Sequence, residues 1–149
     1  MPTVYATPAD GDTYFATRLY HDVWDGASTD DKTRALTTAA DMIDRLAFAG
    51  DITDPLQDRQ FPRGGDLLIP DNIKLATIEL ANSLLDGVDN EQEERELSTK
   101  SAGYSSVRTT YDRTFPRESQ AAGIPNVLAW KYIRPYLADP TGITLRRVS

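Results

Sequence analysis

The sequence has no cysteine and one histidine in 149 residues. Without cysteine there is no disulfide framework and no thiolate metal site, which fits a reducing compartment. A nucleophilic triad needs a base within hydrogen-bond reach of its nucleophile. The one histidine, His21, stands in a connector beside Asp22 and reads as a surface residue. No apolar stretch approaches the roughly 20 residues of a membrane helix. The opening MPTVYATPADGDTYF lacks the basic and apolar regions of a signal peptide, so a soluble, intracellular protein is expected. FPRGGD has two glycines but neither the spacing nor the Lys-Ser/Thr of a phosphate loop. Asp51, Asp54 and Asp58 lack the alternating donors, central glycine and terminal glutamate of a calcium loop. Internal repeats and low-complexity tracts are also missing. The expectation is a protein without cofactor, metal or catalysis.

What is present is a core and a divided charge. Hydrophobic residues make up 40% of the chain, and seven are tyrosines, so the chain is not a disordered one. Its length fits one domain with a real core. We read residues 1–138 as that domain and 139–149 as a C-terminal tail. The net charge is −7. Residues 1–96 hold 20 Asp/Glu against 8 Lys/Arg, a balance of −12, and residues 97–149 hold 3 against 8, a balance of +5. Such a split suggests two surfaces with different tasks, although an uneven solvated surface would read the same.

Hydrophobic spacing predicts a mainly α protein, a bundle of about four helices with an extended arm or small hairpin. Thr7-Pro8 is a cap followed by proline at the first helical position, with Phe15 and Leu19 on one face and an end near Tyr20. Trp24 anchors the connector that follows. Ser28 or Thr29 caps a long helix whose Leu36, Ala39, Ile43 and Leu46 form one stripe, closed by Phe48 and by Gly50 as C-terminal cap. Asp51 to Asp66 reads as an ordered loop with Phe61 turned inwards. Pro70 starts the most regular helix, with Ile69, Ile73, Ala76, Leu80 and Leu84 as its stripe. The run Asp89 to Glu96 reads as a solvated helix face. A last helix follows Gly123-Ile124-Pro125, with Leu128, Ala129, Trp130, Ile133 and Leu137 as core contacts and Pro135 ending or kinking it.

Residues 97–118 have a different character. Tyr104, Val107 and Tyr111 recur at three or four, and β-branched residues favour extended structure. Tyr104, Arg108, Tyr111, Arg113, Phe115 and Arg117 interleave rings and cations, a pairing found in binders of single-stranded nucleic acid. A strand pair with buried rings and outward arginines fits the same residues. A strongly acidic protein makes a poor electrostatic funnel for such an arm.

The landmark order carries a resemblance. Tyr14-Phe15, Trp24, Lys32, Leu36, Ile43, Gly50, Gln60, Phe61-Pro62-Arg63 and Ile69-Pro70 follow one another much as in the head–tail connector (adaptor, or head-completion) proteins of tailed phages. The resemblance covers roughly residues 4–88, and more loosely the arm and last helix. Some relatives of this pattern bear the label DnaT-like single-stranded-DNA-binding. The resemblance implies a virion protein, assembled in the host cytoplasm, with no membrane. About twelve copies would form a closed ring below the portal protein, meet a tail or stopper protein, and let genomic DNA pass without specific binding. On that reading Glu91, Glu93, Glu94 and Glu96 would line the channel and repel the DNA backbone. Tyr104, Val107, Arg108, Tyr111 and Arg113 would form a subunit-contact arm, and Leu145, Arg146 and Arg147 would dock on the portal. The runner-up is a single-stranded-DNA-binding accessory protein that uses the Tyr/Arg arm.

Overall fold

In the computed structural model, which describes residues 4–87 and 114–138, the chain is mainly helical. Helix α1 spans Pro8–Phe15 and begins in a reciprocal cap: the Asp10 N–H donates to Thr7 Oγ1, and the Thr7 N–H donates to the Asp10 carboxylate. Helix α2, Asp22–Gly26, is one short turn that carries Trp24. Helix α3, Thr29–Asp44, starts on Ser28, whose hydroxyl accepts the Asp31 N–H. Helix α4 spans Asp71–Leu85, directly after Pro70. Helix α5 covers Thr114–Ala121, and helix α6 covers Val127–Ile133 with Asn126 as its side-chain cap. A 3-10 turn, Arg134–Tyr136, follows at Pro135.

The bundle is organised around α4, which packs against α3 on one side and α6 on the other. The stripes meet there: Leu36, Ala39 and Ile43 of α3, Ile73, Ala76 and Leu80 of α4, and Ala129 and Ile133 of α6 are all fully buried. Thr77 and Ser119 are buried without cost to hydrogen bonding, because Thr77 Oγ1 donates to the Ile73 carbonyl and Ser119 Oγ to the Ile124 carbonyl.

Four details differ from the sequence-based expectation. Helix α1 stops at Phe15 instead of continuing to Tyr20, and Leu19 is 82% exposed. The reason is a stack of Phe15 on Trp24, centroids 5.3 Å apart, which folds the chain back before a further turn can form. Helix α3 ends at Asp44, and Gly50 is not its cap, although it does take a positive φ of 76°. Residues 47–49 pair instead with the far end of the chain: Ala49 N–H donates to Tyr136 O, Ala138 N–H to Ala47 O, and Phe48 bridges Leu137 in antiparallel sense. Leu128 is 41% exposed, while its neighbours Ala129 and Trp130 are buried. Lastly, residues 114–118 of the expected arm are the first turns of α5.

Candidate functional site

The segment between α3 and α4 holds most of the unusual chemistry. Arg63 is its clamp. Its guanidinium donates to the carbonyls of Phe48, Ala49, Gly50 and Gln60 and to the Gln60 side chain. One planar cation thus satisfies four backbone acceptors that no helix or sheet claims. Phe61 is buried beside it, edge-on to Tyr5, Phe48 and Tyr136 at centroid distances of 5.9, 4.7 and 5.7 Å. The Phe61-Pro62 peptide is cis. Gln57 Nε2 donates to the carbonyls of Arg59 and Pro62, and Thr53 N–H to Pro62 O, which draws the loop shut. The run Phe61-Pro62-Arg63 of the landmark order therefore ties this loop into a knot.

Asp44, the last residue of α3, anchors this knot to the N-terminal segment. Its carboxylate accepts from the Tyr5 hydroxyl, from Arg59 Nη1 at 2.7 Å and from the Gln60 N–H at 3.3 Å. Arg59 also reaches Asp41 at 3.0 Å and lies over the Tyr5 ring. Burial, then the hydrogen bond to Asp44, holds the Tyr5 phenol well above its ordinary value of 10.0. Burial and the Glu79 carboxylate do the same to Tyr14, the Tyr14 hydroxyl donating to Glu79 at 2.5 Å. The fold keeps these protons where the unfolded chain releases them. The associated stability is therefore present below pH 10 and is lost as pH rises above about that value. Thermal melts should fall steadily above about pH 10, and Tyr5→Phe should flatten that fall; an equally steep loss in the variant would refute the assignment to Tyr5.

A second polar cluster fixes the α1–α2–α3 corner. Asp12 Oδ1 accepts from the Trp24 indole N–H at 2.8 Å and from Lys32 Nζ at 2.9 Å. The hydrogen bond from Lys32, with that from Trp24, holds the Asp12 carboxyl below its usual range. Nearby, His21 Nδ1 lies 2.6 Å from Asp25 at the exposed start of α2. Asp54, in the stretch that lacks a calcium-loop pattern, accepts the Leu56 N–H and so serves its own turn.

Between the N-terminal segment and the knot runs an open groove of about 650 Å³. Tyr5, Thr53, Pro62 and Ile69 contribute to its walls, Asp10, Asp54 and Asp66 bring carboxylates, and Lys74 adds one cation. Leu67 and Leu68 line its edge and are 87% and 80% exposed. Its lining is apolar and rimmed by carboxylates.

Glu91, Glu93, Glu94 and Glu96, the arm residues Tyr104, Val107, Arg108, Tyr111 and Arg113, and Leu145, Arg146 and Arg147 of the tail all lie outside the described residues. Phe115 and Arg117 belong to the backbone of α5. The sequence reading missed the groove itself. Its signal was the adjacent pair Leu67-Leu68, placed between Gly64-Gly65-Asp66 and the start of α4, outside any helical stripe.

A family model described as "Putative DnaT-like ssDNA binding protein" matches residues 4–147. The chain belongs to this DnaT-like family. No curated protein and no solved structure matches it. The match spans the helical core, the knot, residues 88–113 and residues 139–147, so this DnaT-like chain carries its family pattern along nearly its whole length. Membership agrees with the label attached to some relatives of the landmark pattern.

Proposed function

We propose that this DnaT-like protein is a structural subunit of a tailed-phage head–tail connector. Copies of it form a ring below the portal, extend the DNA channel, and offer a platform to a tail or stopper protein. The role is structural, without catalysis or cofactor, and its place is the virion. One observation carries this reading over direct DNA binding: four cations of the described core, Lys32, Arg59, Arg63 and Arg134, are turned to internal work. Lys32 is held by Asp12, Arg59 by Asp41 and Asp44, Arg134 by Glu118, and Arg63 by backbone carbonyls. A nucleic-acid site presents its cations outwards, where they displace counterions from phosphate. Here the balance over residues 1–96 is −12, a surface past which DNA slides. The acidic stretch Glu91 to Glu96 lines the channel in this reading, and Leu145, Arg146 and Arg147 dock on the portal.

The family description favours a second reading, in which the arm residues Tyr104, Arg108, Tyr111 and Arg113 bind single-stranded DNA. Two measurements separate the readings. Native mass of the protein mixed with its phage's portal protein should give a discrete complex with many copies per portal ring. Removal of residues 139–149 should abolish that complex and leave the domain's melting unchanged. Oligonucleotide binding should be weak and indifferent to Arg108→Ala and Tyr111→Ala. Salt-sensitive binding lost in those variants, with no portal complex, would establish the second reading instead.

A further inference from the structure

We infer that the Leu19–Tyr20 turn of one copy seats in the groove edged by Leu67 and Leu68 on the next copy. The inference rests on the ring reading for its setting and supplies the contact from which a ring is built.

Leu19 and Tyr20 are consecutive, 82% and 89% exposed, and stand on the turn between α1 and α2. A lone exposed leucine is ordinary, but a projecting apolar pair is not. The backbone beneath them is also unusual. Tyr20 has φ 61°, the left-handed region, and among the described residues it alone does so without being glycine. A bulky residue avoids that conformation unless its surroundings require it. Among the described residues no packing explains it, because the Tyr20 side chain is exposed. The geometry instead presents the ring outwards for something to receive.

The groove is a matching receptor. It has apolar walls and an exposed leucine edge, with carboxylates from Asp10, Asp54 and Asp66. The turn brings two leucine- and tyrosine-sized groups, a phenol that donates hydrogen bonds, and the charge of Arg18, whose guanidinium rests over the Tyr14 ring. Exposed Asp22 on the far side of the turn has Lys74 of the groove as its counterpart. Tyrosine and arginine are also the residues that most often anchor protein contacts.

Placement within the fold decides that the occupant is a second copy. Asp10, in the first turn of α1, lines the groove, whereas Leu19 and Tyr20 come after the last turn of the same helix. The helix from Asp10 to Phe15 separates the two by about 7.5 Å of rigid rod before the turn begins. The turn therefore cannot fold back into its own groove while α1 stands. A projection at one end and a receptor at the other form a heterologous contact, which repeats from copy to copy and closes into a ring or runs on as a filament.

The absence of cysteine makes a direct test clean. Full-length Tyr20→Cys and full-length Leu68→Cys, mixed in equal amounts and oxidised, should give the mixed disulfide dimer, both in concentrated solution and on the portal. Each variant alone should give far less dimer, as should a control mixture of Leu68→Cys with Leu128→Cys. A portal complex that assembles without the mixed disulfide overturns the inference and leaves the connector reading standing. Neither complex nor disulfide overturns both. Tyr20→Gly adds a readout that a purely structural role would not give. It relieves the positive φ, so its melting temperature should hold or rise, while self-association should weaken about tenfold or more. A lowered melting temperature with unchanged association would place Tyr20 in the fold and not in the contact.

Discussion

Gly11→Ala is expected to cost about 3 kcal/mol, at the upper end of what overpacking in a dense core costs. In a domain of this size that corresponds to a fall of roughly 6–12 °C in melting temperature. The chemistry of the change is minimal, and alanine is the better helix former by about 1 kcal/mol, so propensity alone predicts stabilisation. Packing reverses the sign. A Cβ at position 11 would stand 2.1 Å from Trp24 Cζ2 and 2.5 Å from Cη2. The indole cannot withdraw cheaply. It is fully buried, stacked on Phe15, and pinned by its N–H to Asp12, while Lys32 lies over its ring. Adding Trp24→Phe should recover part of the loss, because the smaller ring vacates the space that the new methyl needs. A double-mutant cycle measured by thermal melting gives the coupling directly. Additive losses, or a Gly11→Ala protein as stable as the parent, would show that α1 and α2 do not meet through this ring.

This contact also shows what the sequence can and cannot announce. The stripes of α3 and α4 were legible because each repeats at helical spacing and each is buried as read, from Leu36 to Ile43 and from Ile73 to Leu80. The cap at Thr7 was legible from the proline that follows it, and the second cap was narrowed to Ser28 or Thr29, of which Ser28 is the one that accepts the Asp31 N–H. Gly11, by contrast, looks like a weak point in a short helix until Trp24, thirteen residues on, is laid across it. The end of α1 was misjudged for the same reason. Leu19 is four residues from Phe15 and belongs to its face only if the helix continues, and the Phe15–Trp24 stack stops it.

The candidate site was less legible than the fold, and the cause is physical. Periodicity reports which residues leave water; it is silent on what an exposed leucine is for. Phe61-Pro62-Arg63 stood out as a motif, yet nothing local says that Arg63 gathers the carbonyls of residues 48–50, because that pairing joins two stretches of irregular chain thirteen to fifteen residues apart. Gly50 was read as a helix cap since its left-handed conformation is what such a cap needs, and the conformation is present in the service of that loop.

Asp44→Ala is the substitution in which fold and groove should fail together. The carboxylate is one-fifth exposed and serves three donors from two distant segments: the Tyr5 hydroxyl, the Arg59 guanidinium and the Gln60 N–H. Removing it leaves Arg59, 12% exposed, with Asp41 as its remaining carboxylate among the described residues, and strips a buried phenol and a backbone donor of their acceptor. Breaking such a network costs about 2–4 kcal/mol, more than the attraction it supplies, because the abandoned groups stay out of water. Asp44→Asn keeps an acceptor oxygen without the charge and should lose less. The loss should also be local before it is global. Tyr5 is a groove wall as well as Asp44's partner, so residues 4–7 and the loop from Thr53 to Ile69 should gain hydrogen exchange while the amides of α4 stay protected at low temperature. Mixed disulfides between Tyr20→Cys and Leu68→Cys should drop in the same variant. Uniform exchange across α4 would mean that Asp44 supports the bundle as a whole, whereas unchanged exchange and melting would show that the N-terminal segment and the knot are held by Phe61 and its ring contacts alone.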